Sequence, residues 1–490
     1  MKKKSKILGQ VYTPPWIVST ILDYVDYKWK KILNQKILEP SFWDGIFLLE
    51  IVKRIIKESK KNKLKLDEIK KILENNIYGI ELDKKEYNKA IDNLNNFIKN
   101  NLDKEIKIKW NLVNWDTLIE YKHFIWKMDY VVWNPPFIRI HNLEKETIKL
   151  IKNNFEFTDW NLDIYTSFFE LWLELLNKNW QLGYITPNSY LHNTSYKRFR
   201  NYLKEKKLLK ILLDFKWIKV FDWYSTYTSI SILDFNKKRK NFTYKEYIDK
   251  KIIDINTIEY DSLDDKDWSF STKENMDFLK RIKNSKEKIK NNFEVQYWLW
   301  TLRDKIFITE EIRTKDTIQF YKISKIKSPE DFKNQHHQII NPYKISNNKF
   351  IIKKETELEK ETLNYLLKNK EELNKRDKGK TDKYEAWYAY GRKQGLNIYQ
   401  KDTYIIPIPG MIKQGQSFFS ISIKELNIPF LFSSGFLLEI EEKEKEKVLS
   451  FLNSEEFQII LKQEGKVWKG KTEETSYYSL SITQLKRILN

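Results

Sequence analysis

The chain has 490 residues, room for two domains of ordinary size, and carries 89 lysines and arginines against 68 aspartates and glutamates, a formal charge of +21. Such a surplus suits a polyanionic partner, although a lysine-rich genome would raise it too. Without cysteine and with only five histidines, a disulfide framework is excluded and no metal is expected; no apolar run makes a secretory signal or a membrane span, so we expect a cytoplasmic protein with no membrane partner.

Short apolar runs alternate with amphipathic stretches through the first half. Strands are expected at 36–40, 77–81, 107–113, 129–132, 183–186, 209–215 and 228–235. Helices are expected at 46–59, 85–99 and 165–176. Steady alternation of the two predicts an α/β fold with a mostly parallel sheet. Residues 241–285 are highly charged with few long apolar runs, and from about 291 onward short strands, turns and aromatic-rich stretches follow one another less regularly. This predicts a first domain over 1–245, a connection over 246–290 and a mixed α+β second domain over 291–490. The run Glu441 to Lys447 reads as a solvated helix face.

The strongest chemical signal is the string from Asp129 to Phe137, an apolar strand running into Asn134-Pro135-Pro136-Phe137. Two consecutive prolines fix the backbone just beyond the strand and remove two N–H donors, leaving carbonyl oxygens outward. A planar exocyclic amino group needs acceptors for its two hydrogens, and the Asn134 side-chain oxygen with the Pro135 carbonyl can supply them. Phe137 offers a face on which a base can stack. The simpler reading is a turn that ends a strand.

This string resembles the Asp/Asn/Ser-Pro-Pro-Phe/Tyr motif of amino-methyltransferases. In the order of its motifs the chain resembles the gamma class of N-6 adenine-specific DNA methyltransferases, the TaqI-like group of restriction-modification systems. That resemblance implies a Rossmann-like class I methyltransferase sheet followed by a DNA target-recognition domain. It also implies S-adenosyl-L-methionine as cofactor, double-stranded DNA as partner, and in some systems a cognate restriction endonuclease. The motifs begin near residue 9, so no fused nuclease is expected ahead of them.

The cofactor half matches piece by piece. The string from Gly9 to Pro14, with Thr13 and Pro14, resembles the N-terminal motif that covers the methionine end of the cofactor. Glu39-Pro40-Ser41-Phe42-Trp43-Asp44-Gly45 resembles the loop in which an acidic residue and backbone N–H groups hold its amino-acid part. The resemblance assigns Glu81 to the ribose hydroxyls and Asp116 to the adenine amino group. Each acidic strand end reads equally well, taken singly, as a helix N-cap. Asp163-Ile164-Tyr165 and Gly183 to Ser189 resemble later motifs, and Val220-Phe221-Asp222 resembles the segment whose aromatic closes on the target base. Phe221 is then expected to face Phe137 across a slot for a flipped base, with a core aromatic as the plainer alternative. In the second half, Tyr388 to Leu396 and Phe432 to Phe436 resemble the specificity domain, and Arg303 and Arg392 are candidate DNA contacts.

Only 12 glycines occur beside 17 tryptophans, where average usage is about 7% glycine. Trp43, Trp115, Trp133, Trp172, Trp180, Trp223, Trp298 and Trp300 stand where the resembled class has or tolerates glycine. Reading UGA codons as tryptophan, where the living cell inserts glycine, would write the sequence this way; a diverged, aromatic-rich enzyme or a degenerate, inactive one is the alternative. A glycine in the cofactor loop permits φ > 0 and close approach of backbone to ligand. Two rival functions share the Asn-Pro-Pro-aromatic string or the basic second half: a methyltransferase of RNA or protein glutamine, and a non-catalytic DNA-binding subunit of a restriction complex.

Overall fold

The computed structural model describes residues 12–102, 106–124, 127–157, 163–216, 218–221, 226–235, 239–263, 268–277, 293–379, 382–400, 402–468 and 477–489. The chain forms two compact units, Met1–Met276 and Asp277–Asn490.

The first unit is built on a nine-stranded sheet. Its strands are β1 (Ile37–Glu39), β2 (Ile77–Ile80), β3 (Asn111–Val113), β4 (Met128–Trp133), β5 (Leu176–Pro187), β6 (Leu209–Asp214), β7 (Thr228–Asp234), β8 (Asn241–Ile248) and β9 (Lys251–Glu259). The order is β3-β2-β1-β4-β5-β7-β6-β8-β9. The pairs β2–β3, β1–β2, β1–β4, β4–β5 and β6–β8 are parallel, while β7 runs antiparallel to both β5 and β6. Both faces of its central strands are buried, and β4 displays why. Tyr130 and Val132 point into one apolar cluster, Val131 and Trp133 into the other, as the two-residue strand period dictates.

Helix Ile46–Lys61 covers one face with Phe47, Leu48, Ile51, Val52 and Ile55, spaced at helical intervals. Gly45 caps it at φ 81°, and a Cβ there would stand 3.0 Å from the Ala90 Cβ, so both conformation and space call for glycine. Helix Lys84–Asn101 is capped by Asp83, whose carboxylate accepts from the Lys85 and Glu86 N–H groups.

The break between units falls later than the charge pattern suggests. Residues 241–259, expected at the domain edge and in a connection from 246, instead form the β8–β9 hairpin on the sheet edge. An edge hairpin needs only one buried face, so Phe242, Tyr244 and Ile258 suffice among charged neighbours. Helix Leu66–Asn76 was likewise not anticipated. Its first-turn acids, Asp67 and Glu68, are signals that could have marked it.

The second unit is α+β. Phe293–Gln296, Gly435–Glu441, Thr403–Pro409 and Ile421–Ser422 make an antiparallel sheet in that order. Thr317–Lys322 lies between His336–Ile340 and Leu431–Ser433 in a second sheet. Helix Glu442–Leu452 takes up the charged run at 441–447 and buries Val448 and Leu452. Among the described residues no helix is long and apolar enough to cross a membrane.

Candidate active site

The chain leaves β1 toward β2 and β3 on one side and builds β4 and β5 on the other. Such a switch point opens a crevice at the carboxyl ends of the strands. Every candidate acid or amide of the first unit lies there: Glu39 ends β1, Glu81 follows β2, Asp116 comes shortly after β3, and Asn134 follows β4.

Hydrogen bonds draw these ends together. The Trp43 backbone N–H donates to the Glu81 carboxylate at 2.8 Å, and the Asp83 N–H donates to its other oxygen at 2.8 Å. The Thr117 hydroxyl donates to the Pro40 carbonyl at 2.6 Å. The Asn134 amide donates from Nδ2 to the Thr13 hydroxyl at 2.9 Å. Pro14 precedes the helix Pro15–Tyr24 as its N-cap. Thr13, Glu39, Pro40, Gly45, Glu81 and Asn134 are all buried, and Ser41 is half-buried.

Burial pushes the Glu39 carboxyl well above its usual range, with Asp44 and Glu81 adding like charge. Its Oε2 is buried without a hydrogen-bond partner in the protein. Burial raises Glu81 to about 7, against the two backbone N–H bonds that favour its ionised form. Burial thus favours the protonated form of both acids, in which a carboxyl can donate as well as accept. Asp116 is also raised by burial, and its carboxylate caps the short helix Thr117–Glu120 through the Leu118 N–H. The N-cap reading of Asp116 therefore holds.

Pro135 is buried and Pro136 half-buried. The segment beyond them is tied down by the Ile164 N–H to Ile138 carbonyl bond and by a bridge between Arg139 and Asp163. This gives the Asp163-Ile164-Tyr165 string a bracing role. Phe137 and Phe221 meet, but not as parallel slabs. Their ring centroids are 6.0 Å apart at 69°, edge to face, and both rings are buried. Edge to face is the arrangement that ring quadrupoles favour. Both belong to one buried apolar cluster, as the core-aromatic reading of Phe221 has it. Asp222 and Trp223 lie outside the described residues, as does the stretch Gly9 to Val11.

The tryptophans divide by geometry. Trp43 has φ 50°, in the left-handed region, and its indole Nε1 donates to the Asn134 carbonyl at 3.3 Å. Trp29, not singled out by its sequence context, has φ 64° and is exposed. Left-handed backbone costs a residue with a side chain about 1–2 kcal/mol and costs glycine nothing. Trp133 and Trp172, by contrast, pack on each other in the core at 4.8 Å with Phe168 alongside. The Trp133 Nε1 is buried there without a partner. Trp180 is buried and Trp115 partly exposed.

In the second unit, Trp298 packs edge to face on Phe436. Trp300 pairs in a bridge with Arg392, whose guanidinium lies 5.6 Å from the Trp300 ring centre. Arg392 is exposed. Arg303 differs, for its guanidinium donates to the Glu372 and Leu302 carbonyls at 3.2 Å each. Those bonds give Arg303 a structural task, whereas Arg392 lies exposed beside the Trp300 ring.

Residues 46–221 match the family model described as Eco57I restriction-modification methylase. The type II methyltransferase M.BstVI of Geobacillus stearothermophilus is 29% identical over 257 residues, 50% of this chain and 46% of that protein. The type II restriction enzyme and methyltransferase RM.Eco57I of Escherichia coli is 26% identical over 216 residues, 41% of this chain and 21% of that protein. The chain thus spans about half or less of the curated relatives it matches. In fold it is similar to the type IIL restriction-modification enzyme MmeI, solved in complex with DNA. The TM-score is 0.57 at 14% identity, over 95% of this chain and 64% of that one.

Proposed function

We propose, from the Eco57I-type restriction-modification methylase segment this chain carries at 46–221, that the protein methylates the N-6 amino group of adenine in duplex DNA as part of a restriction-modification system. The observation that carries this reading is the placement of Asn134-Pro135-Pro136-Phe137 at the end of β4, beside the buried acids Glu39 and Glu81.

S-adenosyl-L-methionine would supply an electrophilic methyl group on a sulfonium. Glu81 would take its ribose hydroxyls, Asp116 its adenine amino group, and Glu39 with the Pro40–Gly45 loop its amino-acid end. The fit is good for the acids, since the unpartnered Glu39 oxygen needs a donor in its buried setting. It is poor at Trp43, whose indole reaches across to Asn134. Asn134 Oδ1 and the Pro135 carbonyl would accept the two amino hydrogens of adenine and favour positive charge growing on that nitrogen. In such a transfer the nitrogen–methyl bond would form as the sulfur–methyl bond broke, the thioether would leave, and the released proton would go to water. No general base is required; orientation does the work. Phe137 and Phe221, once parted, would hold the flipped ring. The second unit, residues 277–490, would recognise the DNA target, with exposed Arg392 on the phosphates or bases.

Glu81 gives this reading a pH signature. Its carboxyl moves from 4.5 in the unfolded chain to about 7 in the fold. Its contribution to stability is therefore full below 4.5 and falls as pH rises through about 7. Hydroxyl groups bond best to the ionised carboxylate, so cofactor affinity is expected to increase as pH rises through about 7. In Glu81→Gln, titration calorimetry should find weaker binding and no such rise; an unchanged pH profile would remove Glu81 from the ribose.

The function itself is tested by incubating labelled S-adenosylmethionine with duplex DNA, RNA and protein, using both the chain as written and Trp43→Gly. Digestion of the DNA should yield labelled N-6-methyl-2′-deoxyadenosine. Label found only in RNA or in protein glutamine would replace the reading with its first rival, and DNA binding without transfer by either chain would replace it with the second.

A further inference from the structure

An amide that must accept a hydrogen from an incoming amino group has to be held, because rotated by half a turn it presents hydrogens to hydrogens. In Asn134 the end that can only donate, Nδ2, lies 2.9 Å from the Thr13 hydroxyl. Both residues are buried, Asn134 at 1% and Thr13 at 6% exposure, so water does not substitute for this bond. Thr13 sits 121 positions before Asn134 and belongs to no strand of the sheet.

The short segment that carries Thr13 is itself anchored. Next to it, the Tyr12 ring lies under the Lys89 ammonium at 5.4 Å. Lys89 in turn stands 3.5 Å from Asp44 and 3.5 Å from Glu86. On the other side Pro14 caps helix Pro15–Tyr24, whose Ile17, Val18, Ile21 and Leu22 are in the core. The Thr13 hydroxyl is thus a fixed point between a buried helix and the loop after β1.

We propose that Thr13 is a positioning residue for the transfer: its hydroxyl takes a hydrogen from Asn134 Nδ2 and so turns Asn134 Oδ1 toward the adenine amino group. This rests on the adenine-methylation reading and goes beyond the cofactor-covering role that the resemblance gives this segment. If Thr13 served the cofactor alone, its loss would weaken cofactor binding and spare the chemical step.

The test compares Thr13→Val, Thr13→Ser and Asn134→Ala in single-turnover methyl transfer to duplex DNA, with S-adenosylmethionine affinity measured separately, all in a background that transfers methyl groups. Valine keeps the shape and removes the hydroxyl. The expected result is about a tenfold lower transfer rate for Thr13→Val, with cofactor Kd changed less than about twofold and the rate largely restored in Thr13→Ser. A Thr13→Val enzyme with weakened cofactor binding and an unchanged rate overturns the proposal, as does one unchanged in both. An active Asn134→Ala would instead overturn the functional reading beneath it, so the two failures are told apart.

Discussion

Replacing Trp43 with glycine is expected to tighten S-adenosylmethionine binding by about tenfold or more over the chain as written, a gain of about 1.4 kcal/mol per decade. Two features of the structure set that direction. The residue holds φ 50°, where a side chain is strained and glycine is not. Its indole reaches from a loop whose backbone N–H serves Glu81 to the main-chain carbonyl of Asn134. A ligand bonded to Glu81 and presented to Asn134 must first displace it. We propose that glycine occupies position 43 in the working protein, and position 29 for the same backbone reason. Mass spectrometry of the tryptic peptide 37–53 from protein made in its own cells should report the glycine mass; a tryptophan mass at 43 would end the proposal. Trp133 and Trp172 fit each other in the core, so glycine there is expected to act as a pair, one change leaving the other without its neighbour.

Asn134→Ala is expected to lower the transfer rate by about two to three orders of magnitude while leaving DNA affinity within about threefold, because it removes an acceptor that strengthens as charge develops. Rapid-quench transfer with labelled cofactor measures the rate, and fluorescence anisotropy on a duplex measures the affinity. A tenfold or smaller loss of rate would leave Asn134→Ala an active enzyme and overturn the functional reading.

The first unit was largely readable from sequence because its signals are local. Strands such as Tyr130 to Val132 and helices such as Ile46–Lys61 announce themselves by period, and Asn134-Pro135-Pro136-Phe137 is contiguous. The β8–β9 hairpin escaped because an edge strand with one wet face has no dense apolar run. What brings residues together across the chain was not readable. The Thr13–Asn134 bond joins residues 121 apart, and the edge-to-face contact of Phe137 with Phe221 depends on packing that no spacing encodes. Arg303 and Arg392 looked alike as basic residues among aromatics, and only their partners separate them. The tryptophan surplus was visible as composition, but which of them strain the backbone was not; Trp29 emerged from its φ alone.

The pocket at the ends of β1, β2 and β4 is tested most directly by a crystal structure of the Trp43→Gly chain with a nonreactive S-adenosylmethionine analogue and a duplex containing adenine. The account predicts the ribose on Glu81, the amino-acid end by Glu39, and Asn134 Oδ1 within hydrogen-bond distance of the adenine amino group. An analogue lodged elsewhere, or an Asn134 side chain turned into the core with the base on other residues, would contradict it.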